Sequence, residues 1–493
     1  MSGDVVMAID LGTGGPKVAL ITIDGQCLGW RARPVTTRLV GAGGAEQDPE
    51  EMWTAVCDAA RQVMDECGRP QLCGVAVTSQ YMSTVPVAAD GTPTGPCILW
   101  MDCRGATHAR TLLSDESFLL FVERHGLFPL PSGHDGVSHV SVLRDLHPDS
   151  YAAAAAFVEP MDYLTARLTG RVTATQSTMF GQLVCDNRTW GLTEYDRDLV
   201  AATRLDPAKL PALVPMGDVI GEITTVAAAE LGVAAGVPVL AGTIDSITSA
   251  VGTGAVDAER CGVVVGTTSV MVTHIGEQRN DVMSSLLTVP SPLPGQWYVM
   301  AENGLGGRAF DWAYHLLGFT DAESALASAA STEAQGVRFA PWLTGSLAPA
   351  PDEQVRGAWV GLGLGHGRAE MIRAVLEGIA ANLGWLYPAL EQFAEASYDH
   401  LTFGGGGAQS GLLAQMLADA WGRDVRRVAA PRATNARGAA LLAFHQLGRL
   451  TLDDLPERVP VESWHHPTEA GMVKMAANVT ALRALHGQIA GRL

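Results

Sequence analysis

The chain has 493 residues, with 52 acidic side chains against 33 Lys and Arg, a formal charge of −19, and 47% apolar against 17% charged residues. That length allows about two to four domains, and the apolar content allows sizeable cores, which excludes wholesale disorder. The acidic balance excludes sequence-independent nucleic-acid binding and adhesion to anionic lipid, both of which need a basic surface. It leaves room for a small anionic ligand held by backbone N–H groups, helix N-termini or a metal ion.

From the start of the chain, Val5 to Ile9 reads as a buried strand, Gly12 to Gly15 as a turn, and Val18 to Ile23 as a second strand closed by the tight-turn pair Asp24-Gly25. The first run is broken at once by Asp10, so it is not a signal peptide. Asp48 as N-cap, Pro49 at the first helical position and Glu51 as the partner of a capping box predict a helix, with Met52, Val56, Ala59 and Val63 along its apolar stripe. Gly74 to Val77 reads as a strand. The alanine-rich stretch Tyr151 to Phe157 reads as helical, and so does Met161 to Gly170 with its glycine C-cap. Pro238 to Ala241 is a short buried strand leading through Gly242, Thr243, Ile244 and Asp245 into a helix over Ser246 to Val251.

The opening hairpin has an echo. Val263-Val264-Val265-Gly266-Thr267 superposes on Ile9-Asp10-Leu11-Gly12-Thr13, with Val264 opposite Asp10, so the second copy lacks the carboxylate. Two copies about half a chain apart predict two domains of like fold, with a boundary near Gly252 to Arg260. Val282 to Ala301 is uncharged, but Pro290, Pro292 and Pro294 rule out a membrane helix of the usual kind. Further on, a long helix runs from Arg368 to about Glu395, and the strand Leu401 to Phe403 meets four glycines, Gly404 to Gly407, before a helix over Leu412 to Trp421. The eight cysteines include no CxxC pair. Their spacing suits neither zinc nor a disulfide framework, and they read as reduced thiols of a cytoplasmic protein.

No Walker A pattern exists, and no GxGxxG follows a strand. Three other glycine-rich turns do follow buried strands: Gly12 to Gly15, Gly266 to Thr268, and Gly404 to Gly407. Any one of them reads as a tight turn. Three together, two of them copies, point to a phosphate-binding cleft between two domains.

On these motifs the sequence resembles the FGGY family of carbohydrate kinases, in the actin and Hsp70-like ATPase superfamily, over nearly its whole length. Ala8 to Thr13 is similar to the family's first phosphate motif, Gly262 to Thr268 to its second, and Phe403 to Ser410 with Leu417-Ala418-Asp419 to its adenosine motif. Further matches are Ile98 to Arg104, Asp162-Tyr163-Leu164 with Leu168-Thr169-Gly170, Ala241-Gly242 with Asp245, and Arg356-Gly357-Ala358 with Gly361-Leu362. The similarity is greatest to xylulokinase-like members. It implies an α/β chain of two ribonuclease H-like, actin-like ATPase domains, 1–253 and 254–493, with the active site in the cleft between them.

The resemblance also implies ATP and Mg²⁺ as cofactors, a ketopentose such as D-xylulose or another sugar or polyol (ribulose, a sugar alcohol) as acceptor, and the homodimer common in the family, with a non-catalytic nucleotide- or sugar-binding member of the superfamily as the alternative; the acidic charge implies no nucleic-acid or membrane partner. Asp245, which on residue type alone reads as a helix cap, becomes the candidate base for the attacked hydroxyl. Asp10 becomes the metal-site carboxylate. Gly12, Thr13 and Lys17 fall on the first phosphate turn, Gly266, Thr267 and Thr268 on the second, and Gly405, Gly406 and Gln409 beside adenine and ribose. Gln80, Tyr81, Met82, Trp100, Asp102 and Arg104 fall on the sugar side. There the chain departs from the xylulokinase pattern. Gln80-Tyr81-Met82 replaces Gln-Met-His, Met101 stands where asparagine is common, and Gly345-Ser346-Leu347 replaces Gly-Glu-Arg.

Overall fold

The computed structural model describes residues 4–113 and 115–490. Two twisted sheets of the same strand order dominate it. In the first half, β1 (Val5–Gly12), β2 (Gly15–Thr22) and β3 (Cys27–Ala32) form an antiparallel meander, and β4 (Leu72–Ser79) and β5 (Pro238–Leu240) add in parallel beyond β1. The two-residue strand β6 (Thr243–Ile244) also pairs with β4 in parallel. In the second half, β7 (Cys261–Val265), β8 (Thr268–Ile275) and β9 (Trp297–Leu305) form the meander, and β10 (His400–Gly404) and β11 (Asp424–Val428) add in parallel beyond β7. The echo of the two Gly-Thr hairpins is therefore a repeat of the fold: two ribonuclease H-like halves.

Alternation along β1 sets up the site. Val5, Met7, Ile9 and Leu11 enter one core, under α1 (Pro49–Glu66), and Val6 and Ala8 enter another on the opposite face. Asp10 continues that second face at the strand's end. Pairing Asp10 with Lys17 in the β1–β2 ladder puts an ammonium beside it.

The helices are exchanged between the halves. α3 (Asp245–Thr253) is the last element of the first half, yet it lies against β7, β8 and β10. α7 (Thr434–Gln446) lies against β1, β2 and β4, and its Ala436, Ala439, Ala440 and Phe444 complete the core over Val6 and Ala8. The other principal helices are α2 (Pro160–Thr169), α4 (Gly307–Leu316), α5 (Arg368–Ala394), α6 (Gly411–Trp421) and the C-terminal helix α8 (Glu469–Ala490).

Two local expectations need correction. Asp48 does cap α1, accepting from the Glu50 N–H, but Glu51 closes no box; its carboxylate accepts from the backbone and hydroxyl of Thr36 instead. The alanine-rich stretch is not one helix. A helix spans Pro148–Ala153 and a strand Ala156–Val158 follows, drawn out of the helical path by pairing with Val85–Val87. All eight cysteines are free, and Cys57, Cys97, Cys185 and Cys261 are buried. Among the described residues no helix is long and apolar enough to cross a membrane.

Candidate active site

The site is assembled at strand ends. β1 delivers Asp10, which is 7% exposed, and the Lys17 ammonium stands 3.5 Å from its Oδ2. β6 ends at Ile244, so Asp245 is the first residue of α3 and not its cap. The chain there is pinned from both sides: Thr243 and Ile244 pair with Thr78 and Ser79 of β4, and the hydroxyls of Thr78 and Thr248 lie 3.0 Å apart. The Asp245 carboxylate accepts from Ser246 Oγ at 3.3 Å. Burial, reinforced by the negative charge of Asp10, lifts its pKa from 3.8 to about 7. A carboxylate with that pKa suits proton abstraction near neutral pH.

Behind Asp10, the first glycine turn is tied to the sugar-side loop. Thr13 Oγ1 donates to Gln80 Oε1 at 2.7 Å and accepts from Trp100 Nε1 at 3.0 Å. Gln47 Nε2 donates to Thr13 O at 2.7 Å. Trp100 is 38% exposed, so its ring is open to a ligand, whereas Gln80 is buried. Met82 sits at φ +55, in the left-handed region, which only a well-packed loop holds in a residue of that size.

Asp102 and Arg104 belong to a different cluster. Asp102 is fully buried and accepts from the N–H groups of Ala45 and Arg104 and from the Arg104 guanidinium, which also donates to Glu46 at 2.7 Å. With those donors in place Asp102 offers no free acceptor. Its observed partners are the loop backbone and Arg104.

The other two glycine turns meet in the second half. Gly266 N–H donates to Thr268 O at 2.8 Å, and the Gly266 and Thr267 carbonyls accept from Gly307 and Arg308 at the start of α4. Gly405 sits at φ +79, and a Cβ there would lie 2.8 Å from Val265 O. Glycine is therefore what lets the adenosine-motif turn rest on the second hairpin. Gly405 N–H donates to Thr434 Oγ1 at 3.2 Å, which ties the turn to the start of α7. Gly406 and Gln409 are exposed, and the Gln409 amide donates back to Gly406 O at 3.0 Å.

Three residues of the site were not singled out from sequence: Gln47, Tyr298 and Glu302. Glu302 carried a signal, since it ends the uncharged run that begins at Val282. The Thr268 hydroxyl helps to hold down a Glu302 pKa that burial raises, and the Glu302 charge acts on Asp245. Among the described residues no three acidic, His or Cys side chains converge to hold a metal by themselves.

Comparison with known proteins agrees with this architecture. The model of the FGGY family of carbohydrate kinases matches residues 5–252 as its N-terminal domain and 261–447 as its C-terminal domain. The xylulose kinase of Escherichia coli K12 is 27% identical over 488 residues, covering 98% of this chain and 99% of that one. The gluconokinase of Bacillus licheniformis is 22% identical over 478 residues, covering 94% and 92%. Among solved structures, a xyloylose kinase from Brucella ovis superposes with a TM-score of 0.85 at 25% identity, covering 98% and 99%. With both domain models matched in order along two repeated sheets, the chain belongs to the FGGY family of carbohydrate kinases.

Proposed function

We propose that the chain transfers the γ-phosphoryl group of ATP to one hydroxyl of a small neutral carbohydrate, with a ketopentose such as D-xylulose as the first acceptor to test. The observation that carries this reading is the placement of Asp245. It is held at the first turn of α3, its pKa is raised to about 7, and Asp10 and the sugar-side loop stand around it. Phosphoryl transfer demands little covalent chemistry of a protein beyond positioning, charge neutralisation and a base. Asp245 takes the proton of the attacked hydroxyl as the new bond forms.

The two glycine turns of the hairpins present backbone N–H groups, and the Thr13, Thr267 and Thr268 hydroxyls lie on the same turns. The Gly405–Gln409 turn supplies the flat, side-chain-poor surface that an adenine ring needs. Lys17 pairs with Asp10, and among the described residues Asp245 has no ion-pair partner, so a triphosphate approaching the two carboxylates needs further positive charge. Mg²⁺, which takes one or two carboxylates besides phosphates and water, supplies it when bound, and Asp10 is the residue that would hold it.

Sugar-dependent release of ADP across a panel of ketoses, sugar alcohols and aldonates tests the reading. Full activity of Asp245→Asn with the best acceptor would overturn the base assignment. Nucleotide binding with no stimulated turnover on any acceptor would overturn the kinase reading itself.

A further inference from the structure

Strand β9 crosses from the C-terminal core to the cleft with a period of two. Val299 and Ala301 are buried in the C-terminal core. Tyr298, Met300 and Glu302 turn the other way, opposite His274, Val272 and Val270 of β8. That second face is shared with the first half: Tyr298, Val270, Val272 and Met300 pack into the N-terminal core cluster, and the Tyr81 hydroxyl donates to Met300 Sδ at 3.0 Å. Glu302 therefore stands two residues along the same face from a contact made by the sugar-side loop. Its carboxyl reaches Thr268 at one end of the second phosphate turn. Its charge acts on Asp245, Tyr81 and Tyr298 together. Its register partner Val270 is two residues from Thr268 on the same face of β8, so Glu302 stands on that face between the second phosphate turn and the Tyr81–Met300 contact of the sugar-side loop.

The charges of this space are of one sign. The charges acting most strongly on Asp245, Tyr81 and Tyr298 are carboxylates: Asp10, Glu302, Glu159 and Asp245 itself. Burial is the main influence on Glu302, and the Thr268 hydroxyl opposes it. Lys17, the nearby ammonium, is engaged with Asp10. Carboxylates accept hydrogen bonds from the hydroxyl groups of a neutral sugar, and their negative charge repels an anionic ligand.

We propose that Glu302 is a specificity-determining residue of the acceptor pocket: its carboxyl takes a hydrogen bond from a hydroxyl of a neutral ketose or polyol and turns away sugar acids. This rests on the carbohydrate-kinase reading and narrows it. It separates the chain from a gluconokinase by a single chemical feature, an acceptor that carries no carboxylate.

The test is kcat/KM for ketopentoses, pentitols and hexitols against six-carbon aldonates, in the wild type, Glu302→Gln and Glu302→Val, with the KM for ATP measured alongside. The wild type is expected to prefer its best neutral acceptor over any aldonate by about 100-fold or more, the scale set by an unpaired charge in a polar site. Glu302→Val should raise the KM for that acceptor by about 10- to 100-fold, what a hydrogen bond to a charged group contributes, with a smaller change in kcat. Glu302→Gln keeps a hydrogen-bonding group without the charge, so it should narrow the neutral-to-aldonate ratio and cost less neutral kcat/KM than Glu302→Val. Loosening of the Thr268 turn alone would depress all acceptors equally and leave that ratio fixed, which counts against the proposal. So does an aldonate as the best wild-type acceptor. Phosphorylated acceptors with an unmoved ratio overturn the role of Glu302 only, whereas a panel with no phosphorylated acceptor overturns the kinase reading and this inference together.

Discussion

Gly252 on α3 and Gly438 on α7 stand face to face where the two exchanged helices cross: a Cβ on Gly438 would lie 2.7 Å from the Gly252 nitrogen, and one on Gly252 would lie 3.2 Å from the Gly438 nitrogen. Each would also run into a backbone carbonyl of the opposite helix, Thr248 O and Thr434 O respectively. The crossing couples the two halves of the site, because α3 begins with Asp245 and α7 begins with Thr434, the partner of Gly405. Gly438→Ala is expected to push the helices apart and cost about 1–3 kcal/mol of stability, as overpacking does, read by chemical denaturation, and to lower turnover with it. Gly487→Ala, on the C-terminal helix with open space around it, is the control. It should be neutral or stabilising by up to about 1 kcal/mol.

Asp245→Asn should remove about 10²- to 10⁴-fold of turnover, the usual contribution of a positioned base, with little change in nucleotide affinity. In the wild type, kcat/KM should rise with pH and level off above about 7, where Asp245 is ionised. Stability moves the other way. Folding raises this carboxyl from 3.8 to about 7, so the folded chain holds a proton that the unfolded chain has released. The stabilisation is fully present below the unfolded value and is lost as pH rises to the folded one. Asp245→Asn should therefore be more stable than the wild type at about pH 8 by about 1–3 kcal/mol, and the gap should close at about pH 4. Thermal melts at the two pH values check this.

After burial, Asp10 is the largest cause of the raised Asp245 pKa. Asp10→Asn removes that charge while keeping the side chain's shape. Whatever turnover remains should show its acid limb shifted to lower pH than in the wild type, because Asp245 then ionises more easily. An acid limb that stays in place would mean that Asp10 does not act on the group that limits the rate.

The parts of this molecule that were legible in the sequence are those fixed by short-range pattern. β-branched runs ending in Gly-Thr gave both hairpins, and their repetition gave the two halves. Glycine at Gly405 marked a turn that no Cβ tolerates. The exchange of α3 and α7 was not legible, because an apolar stripe says that a helix is covered and not which sheet covers it. The strand Ala156–Val158 was hidden by the high helix propensity of the alanines that lead into it, since its pairing with Val85–Val87 is a contact about 70 residues away in sequence. Asp102 was placed on the sugar side because the segment Ile98 to Arg104 resembles one that borders the family's substrate pocket. Only three-dimensional packing shows that the Ala45 backbone and Arg104 occupy its oxygens. Glu302 lies on a strand whose alternation is plain, but its place in the cleft depends on the register with β8 and on Tyr81 from the other half.

That difference between Trp100 and Asp102, two residues apart, gives the last prediction. Trp100 is partly exposed and held through its indole N–H by Thr13. Asp102 is fully buried, and its partner Arg104 has a side chain only 12% exposed. Removing Asp102 leaves Arg104 with Glu46 alone and takes the acceptor from the Ala45 and Arg104 N–H groups, and groups left unsatisfied in this way cost about 1–3 kcal/mol. Asp102→Ala should thus lower stability by that order in denaturant titrations, and Asp102→Asn by less, since an amide still accepts from the Ala45 N–H. Where either variant folds, its relative kcat/KM across neutral acceptors should match the wild type. Trp100→Ala should do the reverse, with a melting temperature near the wild type and a raised acceptor KM. A changed acceptor preference in Asp102→Asn at wild-type stability would instead place the Asp102 carboxylate in contact with the sugar.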